Sequence, residues 1–149
     1  MQRYLALNGT LARERIHQTA GCFEAILTLK TPELDDLPNS PGQSGRDWLR
    51  TRASAWACQE ERRDQTLEAA RFLVRDLAHL LIDHRISTYS FGVDVAVLVR
   101  KTRIADLPVA AKVAFEAATP PSGTTCGLTG PWPPFSFAGL PPLLEEDPQ

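Results

Sequence analysis

The side chains that could do chemistry are three histidines, three cysteines and a few acids and hydroxyls. His79 and His84 stand five apart, whereas a helix brings together residues three or four apart, so they do not form a two-ligand metal site. Asp83 beside His84 could orient an imidazole for proton transfer. The hydroxyls that follow, Ser87, Thr88 and Ser90, sit in no Gly-x-Ser-x-Gly turn that would expose a nucleophile. A histidine at the C-terminal end of a helix, complementing the dipole, explains His84 better. Glu24 is the one acid in an otherwise largely apolar segment, flanked by Phe23 and Ile26. A buried carboxylate needs a partner, and an arginine of the long helix is the expected one. Cys22, Cys58 and Cys126 are odd in number, far apart and outside any Cys-x-x-Cys pair, which points to buried, reduced thiols rather than a disulfide framework or zinc. No glycine-rich phosphate loop occurs. Catalytic, cofactor-binding and metal-binding residues are therefore expected to be absent, and no cofactor is implied.

The chain has 149 residues, enough for one domain, and 43% of them are hydrophobic, enough for a core. No segment approaches the roughly 20 apolar residues of a membrane span. Met1-Gln2-Arg3-Tyr4-Leu5 lacks the apolar region and cleavage site of a signal peptide, so a cytoplasmic protein is expected. A net charge of −2 and an isoelectric point near 5.9 give a nucleic-acid role no electrostatic support.

The elements that must position these residues follow from periodicity. Residues 3–17 carry a weak helical pattern interrupted by Gly9. Cys22 to Lys30 alternates, with Phe23, Ala25, Leu27 and Leu29 on one face, as a strand does. Thr31 to Gly45, with three prolines, is a loop. From Gly45 to about Asp83 neither glycine nor proline recurs, which predicts one long helix. Its ends are apolar (Trp48, Leu49, Trp56; then Leu67 to Leu81), but Gln59-Glu60-Glu61-Arg62-Arg63-Asp64-Gln65 has no apolar residue and must leave the core. A short strand is expected at Ile86 to Phe91, a central strand apolar on both faces at Val93 to Arg100, a helix at Ile104 to Ala118, and a last strand at Thr124 to Thr129. The order strand, long helix, strand, strand, helix, strand predicts an α+β fold, a ferredoxin-like split βαβ sandwich with one long helix.

The last strand delivers an unusual run, Gly130-Pro131-Trp132-Pro133-Pro134-Phe135-Ser136-Phe137. Its three prolines lack N–H donors and fix their own φ, and they restrict the residues before them. A polyproline-II-like rod is expected, with Trp132 and Phe135 on one edge. Phe135 and Phe137 would fall on one side of an extended chain. All three aromatics are expected to lock onto the body of the domain, so that Trp132→Ala would cost about 3–5 kcal/mol. The other use of such aromatics is as anchors for a partner.

This run resembles the closing motif of the gas-vesicle L/F (GvpL/GvpF) family, whose chains typically end in Gly-Pro-Trp-Pro-Pro-Tyr-Ser-Phe; Phe135 stands where tyrosine is usual. Gly45-Arg46-Asp47-Trp48-Leu49-Arg50 is similar to that family's Gly-Arg-x-aromatic-Leu opening of a long charged helix. Val93 to Val99 resembles its strand before the last helix, and Cys22 to Leu29 a strand with a similarly placed glutamate. The resemblance runs from about Cys22 to Leu140.

It implies a non-enzymatic accessory factor for gas vesicle formation, acting through contacts with the structural shell protein or other accessory proteins. Gly45, Arg46, Trp48 and residues 130–137 become the candidate interaction residues. Family members usually carry a further N-terminal domain, so residues 1–20 are expected to be a helical segment leading into a C-terminal domain at 21–140, with 141–149 a disordered tail. The alternative is a stand-alone ferredoxin-like small-molecule-binding or catalytic domain. With two helices covering one face of the sheet, the other needs a lid: Leu5, Leu11 and Ile16 of the first segment are expected to turn towards it, and a homodimer or a partner to complete it.

Overall fold

The computed structural model describes residues 2–32 and 44–139. Four strands form one antiparallel sheet: β1 (Cys22–Lys30), β2 (Leu81–Tyr89), β3 (Gly92–Arg100) and β4 (Thr125–Trp132), in the order β2-β3-β1-β4. β1 pairs antiparallel with both β3 and β4, and β2 with β3. This is the split βαβ order, in which β3 lies between the two strands joined by the long helix. The helices are α1 (Gln2–Thr19), α2 (Gly45–Asp76), α3 (Leu107–Ala117) and a single turn α4 (Phe135–Ala138). The expected tail at 141–149 and most of the expected Thr31–Gly45 loop lie outside the described residues.

Alternation sorts β1 and β3 into two faces. Ala25, Leu27, Leu29 and Val93, Val95, Val97, Val99 point to one, where Ala69, Ala70, Leu73, Val74 and Leu77 of α2 and its end, and Leu107, Ala111 and Ala114 of α3, complete the main core. Pro108 falls in the first turn of α3, where its missing N–H costs little. The opposite face holds a smaller buried group, Cys22 and Leu98 under Phe137.

α2 starts at a Ser44 cap, whose hydroxyl oxygen accepts from the Asp47 amide at 3.2 Å. With 32 residues it is about 48 Å long, whereas the nine-residue strands span only about 30 Å. One end must therefore overhang the sheet, and nothing before Thr66 is buried. The expectation that both ends of this helix are apolar core thus holds only at its C-terminal end. The overhang leaves Leu49 and Trp56 exposed, and Arg52 lies over both Trp48 and Trp56, 5.3 and 6.0 Å from the ring centres. Where α2 enters the core, Thr66 donates to the Arg62 carbonyl at 2.8 Å. Its single proton is thereby used, so the buried 2.7 Å contact with Thr31 has Thr31 as donor. That pair ties the end of β1 to the helix.

Several elements differ from the sequence expectation, β4 among them, which runs on to Trp132. α2 ends at Asp76, followed by one 3-10 turn (Leu77–His79), and β2 is a full nine-residue strand rather than a short one at Ile86–Phe91. Asp83 and His84 therefore lie on an exposed edge strand, not at a helix end. α1 is continuous through Gly9. It packs on α4, but Ile16 is 67% exposed and does not face the sheet; the side chains of Leu5 and Leu11 lie outside the described residues.

Gly92 begins β3 in the crossing between the β2–β3 turn and the end of β1. A Cβ there would lie 2.3 Å from the Leu29 carbonyl oxygen and 2.6 Å from the Tyr89 hydroxyl. Gly92→Ala is expected to lower stability by about 1–3 kcal/mol through overpacking, measured by chemical denaturation; an unchanged midpoint would contradict this packing.

Candidate functional site

The closing run is built around one carboxylate. Glu24 lies on the second face of β1 and is 3% exposed. Its Oε2 accepts from the Ser136 backbone amide at 2.8 Å and its Oε1 from the Ser136 hydroxyl at 2.5 Å. The partner of the buried acid is thus the closing segment itself, not an arginine of α2 as expected. Two donors from one residue, one of them an amide in the first turn of α4, satisfy an anion that would otherwise be costly to bury.

The residues before Ser136 serve this contact. Between the pairs Glu24↔Trp132 and Ile26↔Thr129, β1 contributes one residue and β4 two, Gly130 and Pro131. This is a β-bulge, one of the few places where a sheet accepts proline. Gly130 has φ +120°, and a Cβ would meet the Glu24 carbonyl oxygen at 2.9 Å and Ala25 Cα at 3.2 Å, so both its conformation and its proximity to β1 require glycine. The Gly130–Pro131 peptide is cis. Beyond Trp132, the Pro133 carbonyl accepts from Phe135 N at 2.7 Å, and the Pro134 carbonyl accepts from the amides of Phe137 and Ala138 at 3.2 and 3.0 Å. Prolines 133 and 134 therefore supply acceptors that close the turn without needing donors.

The run is bulge and helical turn rather than an extended rod, which corrects the expected placement of its aromatics. Phe137, 1% exposed, fills the space over Cys22 and Leu98, and Arg85 covers its ring at 5.2 Å. Trp132 is 50% and Phe135 75% exposed. Only one of the three aromatics is a core clamp. Phe135 and Phe137, two apart, diverge because a helical turn separates such residues by about 200°.

The opening motif lies elsewhere. Gly45, Arg46 and Trp48 occupy the start of α2, on the overhang, and α2 covers the opposite face of the sheet from α4. The structure does not bring the two motifs together into one site.

The Asp83 carboxylate does not hold the His84 ring. Asp83 Oδ1 accepts from the His84 backbone amide at 2.8 Å rather than from its ring, and both side chains are exposed. His79 donates from Nδ1 to the Asp76 carbonyl at 3.0 Å, at the end of α2. The cysteines do not pair. Cys22 is buried, Cys126 partly so, with burial pushing its thiol pKa up, and Cys58 is exposed, contrary to the expectation of three buried thiols. No group of three or more metal-binding side chains occurs among the described residues, and no described helix is long and apolar enough to cross a membrane.

The role of Ser136 was not legible in advance. Glu24 stands 112 residues away, and only the conjunction of a lone acid in an apolar strand with a serine in an aromatic run hinted at it.

The family model for gas vesicle synthesis protein GvpL/GvpF matches residues 15–139. Among solved structures, the gas vesicle protein GvpF from Anabaena sp. PCC7120 superposes with a TM-score of 0.61 at 10% identity, covering 90% of this chain and 57% of that one. GvpF from Microcystis aeruginosa gives 0.60 at 11% identity, covering 94% and 64%. The chain therefore spans somewhat more than half the length of these two, and at such low identity the likeness is one of fold. No curated protein matches.

Phe137→Ala is expected to cost about 3–5 kcal/mol, and Trp132→Ala under about 1 kcal/mol, reversing the sequence expectation for the tryptophan. Ser136→Ala, which leaves one carboxylate oxygen without its hydroxyl donor, is expected to cost about 1–3 kcal/mol. Thermal or chemical melts of the three variants check the order; a tryptophan variant as destabilised as the phenylalanine one would contradict it.

Proposed function

The chain belongs to the gas vesicle synthesis protein GvpL/GvpF family, and from that premise we propose that it is a non-enzymatic assembly factor for gas vesicles, working in the cytoplasm at the vesicle surface. Its partners would be the structural shell protein or other accessory proteins. The observation that supports this best is the contrast within the closing run: Ser136 and Phe137 hold the segment down, while Trp132 and Phe135 stay exposed on it. Large aromatic side chains fixed on a rigid backbone make efficient anchors, because little conformational freedom is lost when they are buried.

The mechanism is scaffolding. An aromatic anchor on a fixed segment would hold an apolar shell subunit until it adds to the growing wall. Trp132 lies opposite Glu24, and Thr129 opposite Ile26, on the second face of the sheet, where α4 covers Cys22, Glu24 and Leu98 and leaves Trp132 exposed. A homodimer or a bound partner would complete that cover. Gly130, Pro131, Pro133 and Pro134 set the path of the segment, and Gly45, Arg46 and Trp48 begin the overhanging helix. On this reading residues 21–140 form the working domain and residues 1–20 lead into it.

The test is capture of the purified shell and accessory proteins by the full chain, compared with the double variant Trp132→Ser/Phe135→Ser. Binding is expected to fall at least about tenfold, the scale of one lost hot spot, with the melting temperature nearly unchanged. Full binding by the double variant would refute the aromatic surface, and no binding by the unmodified chain would refute the role.

A further inference from the structure

The polar middle of α2 divides its charges between two sides. Arg62 turns towards the body and donates to the Ser122 carbonyl at 2.9 Å. Glu60, Glu61 and Asp64 instead line an open groove of about 1010 Å³ between α2 and the C-terminal end of α3. Half-buried Leu67, Phe72 and Ala118 give the groove an apolar floor.

Its two arginines are already engaged. Arg71 pairs with Glu68, and Arg75 lies over the Phe72 ring at 5.5 Å. Among the described residues the ion pairs are Glu68–Arg71 and Asp106–Arg103, so Glu60, Glu61 and Asp64 have no cationic partner. Glu60, Asp64 and Glu68 also follow one another at four-residue intervals. Like charges at that spacing destabilise a helix, whereas a merely solvated face gains from alternating signs. An apolar floor beside three carboxylates without a cationic partner, Glu60, Glu61 and Asp64, fits one kind of occupant.

We propose that this groove docks a basic amphipathic helix of a protein partner. Its apolar stripe would lie on Leu67 and Phe72, and its lysines or arginines against Glu60, Glu61 and Asp64. Helix-in-groove recognition uses this division, with apolar anchors for affinity and charge for orientation and rate. Anionic partners, whether nucleic acid or membrane, are repelled by the same row. The groove lies on the α2–α3 side of the sheet and Trp132 on the other, so the inference stands apart from the aromatic surface proposed above.

The test measures fluorescence anisotropy of a labelled Leu–Lys amphipathic peptide of about 18 residues, five helical turns, with the full chain. A Leu–Glu peptide of the same pattern is the control. The Leu–Lys peptide is expected to bind and the Leu–Glu peptide not. Glu60→Gln/Glu61→Gln/Asp64→Asn together should weaken binding about tenfold at low salt, the sum expected of three exposed pairs. That difference should collapse near 1 M salt, where charges are screened beyond about 3 Å. Ala57→Arg, an exposed groove-lining position that a helix tolerates, should weaken binding independently. Absence of Leu–Lys binding, equal binding of the two peptides, or full affinity in both variants would overturn the proposal.

Discussion

A buried carboxylate cannot stay buried unless something donates to it, and in this molecule the donors come from the far end of the chain. Ser136 gives Glu24 both its amide and its hydroxyl. The rest of the closing run follows from that requirement. The bulge at Gly130 and Pro131 shifts β4 against β1, Pro133 and Pro134 start the turn, and Phe137 drops over Cys22 and Leu98. The contact joins the first strand to the last helical turn, so the second face of the sheet depends on it.

The same constraint separates the buried and the exposed parts of one run. Ser136 and Phe137 are consumed internally. Trp132 and Phe135, held on the same short backbone, have no equivalent cavity and remain at the surface. In this chain the run therefore combines a buried anchor, Ser136 and Phe137, with an exposed pair of aromatics, Trp132 and Phe135. The long helix shows a parallel division by length alone, since a helix longer than the sheet must extend past it.

Much of the fold was legible because its signals are local. The two-residue period of Ala25, Leu27, Leu29 and of Val93 to Val99, and the spacing of Leu107, Ala111 and Ala114, mark the faces with which β1, β3 and α3 build the main core. β2 was foreshortened because an edge strand with most of its side chains exposed carries no clear alternation, and Leu77 to Leu81 continues a helical composition past the true end of α2. The partner of Glu24 and the fate of Trp132 were not legible. Both depend on a bulge and a contact across 112 residues, and the three prolines suggested an extended rod where acceptors at Pro133 and Pro134 instead close a turn. The polar stretch of α2 lies outside the core as its composition implies, but the turn of Arg62 towards the body and of Glu60, Glu61 and Asp64 towards the groove needed the positions of α3 and Ser122.

The account turns on the Glu24–Ser136 contact as the lock on the closing segment, and amide hydrogen exchange reads that lock residue by residue. The Ser136 amide is predicted to be protected in the unmodified chain. In Glu24→Ala, residues 130–139 should exchange markedly faster, while the Val93–Val99 amides keep their protection. A Ser136 amide that exchanges as fast as an open peptide in the unmodified chain, or that is indifferent to Glu24→Ala, would contradict it.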